Sequence, residues 1–150
     1  MVIHELSLSN APWQQLQQLL DQAFPLPPHD VFERVLQASH RSKRLWIATS
    51  PEGGALLGLV MLSPHSKGGH LDNLAVAPGA RGQGVGTALV QRLLADSVVD
   101  CPAMISLTTR IPDFFSALGF QVVGPLSDAS IAMVQMLSPI PMPPTRSQTP

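Results

Sequence analysis

The glycine-rich segment ARGQGVGT, residues 80–87, is the feature that most constrains what this chain can fold into. Gly82, Gly84 and Gly86 fall within five positions and run directly into helix-forming sequence. The start of a helix leaves backbone N–H groups without intrahelical partners, and the helix dipole is positive there. Glycines let a large anion approach these groups closely, and Arg81 adds a positive charge beside them. The segment therefore predicts an anion site, such as a phosphate site, at the start of a helix.

Two common phosphate-binding loops do not fit this segment. A Walker-type loop carries a lysine after its last glycine, whereas the lysines of this chain, Lys43 and Lys67, lie elsewhere. A dinucleotide-binding fingerprint that begins at Gly82 needs a glycine at position 87, where this chain has Thr87. ATP or GTP turnover is therefore disfavoured. The spacing alone leaves open one alternative, a glycine-rich turn that binds no ligand.

The hydrophobic pattern alternates between two periods along the chain. Alternation every second residue predicts strands, and recurrence every three or four residues predicts helices. Strands are predicted at residues 2–8, 44–49, 55–63, 70–77, 103–109, 120–124 and 130–137. Helices are predicted from Asn10 to about residue 24, from Asp30 to His40, from the glycine segment to about residue 98, and over residues 112–119. This order places antiparallel hairpins first and then a βαβ crossover from strand 70–77 to strand 103–109.

The segment LAVAPGARGQGVGTALV, residues 74–90, resembles the acyl-CoA-binding signature of the GNAT N-acetyltransferase superfamily. The pyrophosphate loop of that signature corresponds to Arg81, Gly84 and Gly86. The segment FFSALGF, residues 114–120, resembles a second signature of the same family. Both signatures occur in the family's order and spacing, and the resemblance covers residues 2–137. It implies an α/β (α+β) domain with a mixed, mostly antiparallel central sheet of six to seven strands flanked by about four helices.

The resemblance implies a site for acetyl-CoA as cosubstrate. Backbone groups of Leu74, Ala75 and Val76 would contact the pantetheine arm and the acetyl carbonyl. A bulge or splay near the end of strand 70–77 would leave backbone donors free to stabilise the oxyanion that forms. The pyrophosphate would bind to the loop residues Arg81, Gly82, Gln83, Gly84, Val85, Gly86 and Thr87.

Acetyl transfer to an amine needs a base, an oxyanion donor and an acid for the leaving thiolate. The family commonly has a tyrosine as acid in its second signature, where this chain has Phe115, and the chain contains no tyrosine. The resemblance implies that Phe115 contacts the cofactor. Some members have a carboxylate base at the position of His70. A histidine can take up a proton at neutral pH, and strand alternation puts Asp72 on the same face, where it can orient His70 or contact an ammonium. The alternative is that His70 begins a strand with its ring in solvent.

The prediction of a substrate rests on a shorter resemblance. The segment SLTTR followed by DFF is more similar to the amino-acid acetyltransferase branch, in which case Arg110 would bind a substrate carboxylate. A plain charge that flanks a helix is an equal alternative for Arg110. We expect direct transfer, in a ternary complex, from acetyl-CoA to a primary amine of a small molecule. The alternatives are a weakly active acetyl-CoA-binding regulatory protein and a protein N-terminal or lysine acetyltransferase.

Charge and cysteine content disfavour other partners. Nine basic and ten acidic residues give a net charge of −1, without the basic face that nucleic acids require. The single cysteine, Cys101, cannot form an internal disulfide, and the histidines lack metal-ligand spacing, so we expect no metal. The sequence has neither a signal-peptide pattern nor a membrane-length apolar run, which predicts a cytoplasmic protein without membrane contact. Whether it forms a homodimer is left open.

The length of 150 residues is that of one ordinary domain. We expect this acetyltransferase domain to span residues 1–138. The remaining residues, 139–150, have the proline-rich sequence PIPMPPTRSQTP. Proline cannot supply ladder hydrogen bonds or continue a helix, so this segment is predicted to be an extended, flexible tail.

Overall fold

The fold is known from a computed structural model that describes residues 1–7, 11–23, 44–52, 54–65, 68–100, 104–126 and 130–137. The described strands are β1 (Val2–Leu6), β2 (Arg44–Thr49), β3 (Leu56–His65), β4 (Gly68–Val76), β5 (Met104–Thr109), β6 (Gln121–Pro125) and β7 (Ile131–Met136). The described helices are α1 (Trp13–Ala23), α2 (Val85–Asp100) and α3 (Pro112–Ser116). A short 3-10 turn, Pro78–Ala80, lies between β4 and α2.

The seven strands form one mixed sheet in the order β1-β2-β3-β4-β5-β7-β6. Every neighbouring pair is antiparallel except β4 and β5, which are parallel. Two parallel neighbours need a crossover connection, and α2 lies in the segment that connects them. The predicted mixed, mostly antiparallel sheet and the predicted βαβ crossover are therefore confirmed.

Helix α1 packs on one face of the sheet because its leucines recur at helical spacing. Leu16, Leu19 and Leu20 are buried there against β2, β3 and β4. Complete burial of a leucine side chain contributes about 2 kcal/mol of hydrophobic stabilisation. We call this the α1-side cluster, and its buried members are Leu16, Leu19, Leu20, Leu45, Ile47, Leu59, Met61 and Ala75.

Helix α2 packs on the opposite face of the sheet. Val85, Leu89 and Leu93 recur every four residues and are buried. They pack against strands on both sides of the place where the parallel strands β4 and β5 meet. Leu71 of β4 and Ile105 of β5 belong to the same cluster. We call it the α2-side cluster. It forms the larger part of the core and fixes the start of α2 next to the end of β4.

The parallel ladder between β4 and β5 is short. Its three residue pairs are Gly68↔Met104, Gly69↔Ile105 and His70↔Ser106. Beyond His70, the remaining residues of β4 have no ladder partner on the β5 side among the described residues. A gap therefore opens between the two strands, as the predicted splay requires.

A bulge lies in β4 directly beside this gap. Met61 of β3 pairs with Asp72, whereas Leu59 pairs with Ala75, so β4 contains one extra residue between these pairs. Asn73 has a φ of 55° at this point, a conformation that asparagine tolerates better than most residues. The extra residue changes which face the following side chains take. Leu71 belongs to the α2-side cluster, whereas Ala75 belongs to the α1-side cluster.

Some predicted elements differ from the structure or lie outside its described part. The predicted helix 112–119 ends at Ser116 and continues as a turn to Gly119, whose φ of 99° favours glycine. The predicted helix from Asp30 to His40 and the predicted tail at residues 139–150 lie outside the described residues. Within the described ranges, no helix combines the length and apolar character needed to cross a bilayer.

Candidate functional site

The glycine segment forms a turn that delivers the chain to the start of α2. Gly82 and Gly84 have φ values of 78° and 82°, in the left-handed region that costs other residues about 1–2 kcal/mol. A Cβ built on either glycine would meet no atom within 4 Å. The strand-to-helix turn therefore needs glycine for its backbone conformation and leaves open space above it.

The backbone N–H groups at the start of α2 border this space. The first backbone hydrogen bond of α2 runs from the Ala88 N–H to the Gly84 carbonyl, at 3.0 Å. The N–H groups that precede Ala88 at the start of the helix have no acceptor within the helix. Arg81 lies exposed beside them, and its Nε donates to the Val76 carbonyl at 3.3 Å. Unpaired N–H groups, the helix dipole and a guanidinium together favour an anion at this position.

A cavity of about 480 Å³ extends from the glycine turn along the gap-facing end of β4. One end is lined by the backbone of the turn, and the other is apolar. Its lining residues are Leu74, Val76, Ala80, Arg81, Gly82, Gly84, Val85, Gly86, Thr87, Ile111 and Phe114. A cavity with an anion-binding end and an apolar channel suits an elongated ligand with a phosphate group and a less polar arm.

The structure brings together most of the residues predicted to bind the cofactor. Leu74, Val76 and the loop residues Arg81, Gly82, Gly84, Val85, Gly86 and Thr87 all line the cavity. The side chain of Ala75 points to the opposite face and is buried in the α1-side cluster. Gln83 does not line the cavity, and its Nε2 donates to the Gly79 carbonyl at 3.4 Å.

The aromatic residue at the cavity is Phe114 and not the predicted Phe115. Phe115 is 4% exposed and lies in the α2-side cluster, with its ring edge-to-face against Phe120 at a centroid distance of 5.7 Å. Phe114 lines the cavity next to Gly86. Helix α3 has little more than one turn, so its buried face is decided by what it packs against. Neither phenylalanine offers a proton to a leaving group.

The predicted pair, His70 and Asp72, lies where the gap between β4 and β5 begins. Both side chains are on the face of the sheet opposite to the cavity. His70 Nε2 is 3.8 Å from Asp72 Oδ1, and both side chains are partly exposed. These two residues precede the bulge and face the α1 side, whereas Leu74 and Val76, which follow the extra residue, pack against the α2-side cluster. The cavity and the His70–Asp72 pair therefore approach the same gap from opposite faces.

Two serines that the sequence reasoning missed complete this pair. His70 Nδ1 lies 2.9 Å from Ser106 Oγ on β5, and Ser63 Oγ on β3 donates to Asp72 Oδ2 at 2.5 Å. Both contacts join neighbouring strands, so they depend on the sheet register, which the sequence does not encode locally. Ile111 and Phe114 were missed as cavity residues for a similar reason, because only the packing of the α3 region places them there.

Arg110 follows the last residue of β5 and is exposed. It does not line the cavity, although the next residue, Ile111, does. Its predicted role as a partner of a substrate carboxylate stays a prediction. Among the residues that the structure describes, no group of three or more His, Cys, Asp or Glu side chains could hold a metal ion.

Comparisons with known proteins agree with this geometry. The crystal structure of aminoglycoside 6'-acetyltransferase type Ii is 26% identical to the chain, with a TM-score of 0.78 over 95% of this chain and 100% of that one. An aminoglycoside 6'-N-acetyltransferase complexed with coenzyme A is 21% identical, with a TM-score of 0.76 over 95% and 99%. PaiA N-acetyltransferase from Thermoplasma acidophilum, in complex with coenzyme A, is 15% identical, with a TM-score of 0.69 over 91% and 99%.

A search of curated protein sequences finds no significant match. The profile of the acetyltransferase (GNAT) family matches residues 13–120, which is more than half of the chain. The predicted fold and the predicted class of enzyme, an acyltransferase, are confirmed by these matches, while the preference for the amino-acid branch stays a prediction. From the glycine turn, the gap beside β4 and the family profile together, we conclude that the chain belongs to the acetyltransferase (GNAT) family.

Proposed function

We propose that the protein is a cytoplasmic N-acetyltransferase that transfers the acetyl group of acetyl-CoA directly to a primary amine of a small molecule. The observation that carries this proposal is the cavity of about 480 Å³ that joins the glycine turn to the gap between β4 and β5. One end of that cavity suits a pyrophosphate and the other suits an uncharged chain. The His70–Asp72 pair lies at the apex of the same gap.

The cavity supports one direction for the cofactor. The pyrophosphate would lie against the backbone N–H groups from Gly82 to Thr87, where the helix dipole and Arg81 favour negative charge. The pantetheine arm would follow the apolar lining formed by Leu74, Val76, Ile111 and Phe114. Two of the similar structures described above contain coenzyme A, which supports acetyl-CoA as the cosubstrate.

The gap supports a position for the thioester carbonyl. Beyond His70, β4 presents backbone groups to the gap with no ladder partner on β5 among the described residues. A backbone N–H that points into such a gap can donate to the oxyanion of the tetrahedral intermediate. The bulge at Asn73 locally changes the direction in which these backbone groups point. Bulges are often found beside active sites, where they redirect groups in this way.

His70 is the proposed base. Its ring lies on the α1 side of the sheet, so the amine would enter from that face while the thioester arrives through the gap. The amine nitrogen loses a proton to His70 and attacks the carbonyl carbon. The tetrahedral intermediate then loses the second proton of its nitrogen to solvent and collapses, so that the C–S bond breaks, CoA leaves as the thiolate, and the amide product forms. Asp72, whose Oδ1 lies 3.8 Å from Nε2, would stabilise the protonated ring.

The leaving group receives no protein acid in this scheme. The chain has no tyrosine, and phenylalanines occupy positions 114 and 115. A CoA thiolate is a fairly good leaving group and can take its proton from solvent. The same absence supports a second candidate function, an acetyl-CoA-binding regulatory protein that turns over slowly or not at all.

The acceptor is proposed from chemistry and from the comparison proteins. A partly exposed histidine and a carboxylate suit an ammonium, which is the protonated form of a primary amine. Aminoglycoside 6'-acetyltransferase type Ii, at 26% identity, is named for an amino-group acceptor on a small molecule. A polyamino small molecule is therefore the first class to screen, followed by amino acids, which Arg110 would favour, and by peptide amines.

The test is a calorimetric titration of the full chain with acetyl-CoA, with ATP as the control ligand. We expect acetyl-CoA to bind at micromolar concentration and ATP to bind far more weakly. Thiol release from acetyl-CoA is then measured with aminoglycosides, amino acids and lysine-containing peptides in parallel. Binding without thiol release in any mixture would support the regulatory candidate, and absence of binding would reject both.

A further inference from the structure

Ile111 is the one large apolar residue of the described cavity lining that is exposed, with 59% of its surface accessible to solvent. It lies in the connection between β5 and α3, and Phe114 of α3 lines the same cavity. A single exposed isoleucine on an open surface needs no explanation. In the wall of a cavity, its surface leaves water when the uncharged part of a ligand fills the space, and that burial is favourable. Ile111 is therefore available to contact the uncharged part of a bound ligand.

The main chain of Ile111 is fixed on both sides. Its N–H donates to Thr109 Oγ1 at 2.9 Å, and its carbonyl accepts from the Phe114 N–H at 3.2 Å. Pro112, the first residue of α3, follows directly, and a proline ring fixes its own φ. The exposed side chain therefore extends from a backbone that the protein itself holds in place.

Thr109 supplies one of these hydrogen bonds from inside the fold. It is the last residue of β5, pairs with Ile131 of β7, and is 9% exposed. A β-branched side chain has few allowed χ1 rotamers, and burial restricts them further. Its hydroxyl oxygen is therefore a fixed acceptor, which joins the connection at Ile111 to the sheet.

We propose that Thr109 is a positioning residue that holds Ile111 against the uncharged arm of the acyl-CoA donor, so that this connection selects donors by their arm. This inference rests on the proposed N-acetyltransferase function and names the residues that recognise one part of its cosubstrate. Ile111 contacts the arm. Thr109 acts only through Ile111.

The two parts of the cavity would then contribute separately to donor binding. Ile111 and Phe114 have neither a charge nor a hydrogen-bonding side chain, so they can favour only uncharged groups. Phosphates would be bound at the glycine turn, by backbone N–H groups and by Arg81. A ligand without the arm gains nothing from Ile111, and a ligand without phosphates gains nothing from Arg81.

The first test measures the hydrogen bond between Thr109 and Ile111 without any ligand. The full chain is labelled with 15N-isoleucine, the Ile111 amide signal is assigned by its loss in Ile111→Leu, and its hydrogen exchange is followed by NMR. We expect a protected amide in the wild type and in Thr109→Ser, and exchange about tenfold faster in Thr109→Val, which has the same shape without the hydroxyl. Thr108→Val, at an exposed threonine of β5, is the matched control. Equal exchange in the wild type and Thr109→Val would overturn the positioning role.

The second test measures the affinity for acetyl-CoA by calorimetry. Ile111→Ala is expected to lower it about tenfold, because apolar surface that the arm would cover is lost. Thr109→Val should lower it several-fold, while Thr109→Ser and Thr108→Val keep the wild-type value. In an Ile111→Ala background, Thr109→Val should have little further effect. The same several-fold loss in both backgrounds would mean that Thr109 supports the fold in general, and would reject its role through Ile111.

The third test uses acetyl-pantetheine, which has the arm and the thioester without phosphates. Ile111→Ala should weaken its binding, followed by NMR titration, by the same factor as that of acetyl-CoA. Arg81→Ala should weaken only acetyl-CoA. Absence of acetyl-pantetheine binding to the wild type, or an unchanged affinity in Ile111→Ala, would contradict the contact with the arm.

Turnover separates this inference from the proposed function. With an amine that is acetylated, Thr109→Val should raise KM for acetyl-CoA several-fold and leave kcat and KM for the amine at their wild-type values. Absence of acetyl-CoA binding to the wild type would reject the proposed function. Wild-type affinity for acetyl-CoA in both Ile111→Ala and Thr109→Val would leave that function in place and reject this inference alone.

Discussion

Gly86 of α2 leaves little room for a side chain beside Phe114 of α3, because a Cβ built on Gly86 would lie 3.3 Å from Phe114 Cζ. The glycine is helical and needs no unusual φ, so its role is spatial. It lets the aromatic ring stand against the first turn of α2 at the wall of the cavity. The absence of a side chain at position 86 therefore sets the width of the proposed pantetheine channel.

Gly86→Ala is expected to separate ligand affinity from stability. The new methyl group would push the Phe114 ring by a few tenths of an ångström, while alanine is favoured over glycine in a helix. We expect acetyl-CoA affinity to fall roughly tenfold, about 1.4 kcal/mol, with no decrease in Tm. Calorimetry and thermal unfolding measure the two quantities. Gly124→Ala, where a Cβ would meet nothing within 4 Å, is the control, and a parallel loss of Tm and affinity would contradict the spatial role.

Gly84→Glu is expected to abolish acetyl-CoA binding. A side chain at Gly84 enters the space above the turn, and a carboxylate there would repel a pyrophosphate. Gly84→Gln imposes the same positive φ of 82° on a side chain of nearly equal size without the charge. The difference in affinity between the two variants, measured by titration at low and high salt, isolates the electrostatic part. Equal affinities would argue against an anion at this turn.

His70→Ala is expected to reduce turnover while binding of acetyl-CoA is retained. The ring lies on the α1 side of the sheet, away from the cavity lining. General base catalysis typically contributes a factor of about 100 or more, so we expect kcat to fall by about that factor. Stopped-flow thiol release gives kcat, and calorimetry gives the affinity for acetyl-CoA. A rate within twofold of the wild type would remove His70 from the mechanism.

Asp96→Ala is expected to destabilise the fold without affecting the site. Asp96 Oδ2 accepts from Trp46 Nε1 at 2.8 Å and from Arg92 Nε at 3.0 Å, and it joins α2 to β2. Trp46 is completely buried, so loss of the carboxylate leaves its indole N–H unpaired at a cost of about 1–3 kcal/mol. Urea unfolding followed by tryptophan fluorescence measures this cost.

Two further variants check that explanation for Asp96. Asp96→Asn keeps an acceptor for the indole and should recover most of the loss. In a Trp46→Phe background, Asp96→Ala should cost much less, because no indole N–H remains to be left unpaired. The same cost in both backgrounds would mean that the Arg92 contact, and not the indole, carries the effect.

Ser97→Ala is expected to stabilise the protein. Ser97 is completely buried on α2, and its hydroxyl has no hydrogen-bond partner among the residues that the structure describes. Removal of an unsatisfied hydroxyl and the higher helix propensity of alanine should together raise the free energy of unfolding by about 1 kcal/mol. Thermal and urea unfolding measure the change, with Ser116→Ala as the exposed control. A decrease in stability would mean that the hydroxyl has a partner in the folded protein.

The glycine turn could be predicted from the sequence because its information is local. Consecutive residues determine both the positive φ values at Gly82 and Gly84 and the helix that follows them. The strand and helix order could also be predicted, because β2 and β3 are apolar runs bounded by turns. The faces taken by His70 and Asp72 follow from alternation within one uninterrupted stretch of β4.

The remaining parts of the site depend on contacts between distant segments. Alternation continued through β4 would put Asp72 and Leu74 on one face, but the extra residue of the bulge at Asn73 separates them. Ser106 meets His70 only because the parallel register pairs these two residues across 36 positions of sequence. The choice between Phe114 and Phe115 was decided by packing against Phe120, which a single turn of helix cannot specify.

The three residue pairs between β4 and β5 are the place where the two halves of the sheet are joined, β1 to β4 on one side and β5 to β7 on the other. Gly68 lies so close to Met104 that a side chain there would collide with the β5 backbone. From His70 to Val76, about 20 Å at the usual rise per residue, β4 stays paired with β3 and faces the gap with its other edge. Among the described residues, the strands on the two sides of the gap are therefore hydrogen-bonded to each other only at the end far from the glycine turn.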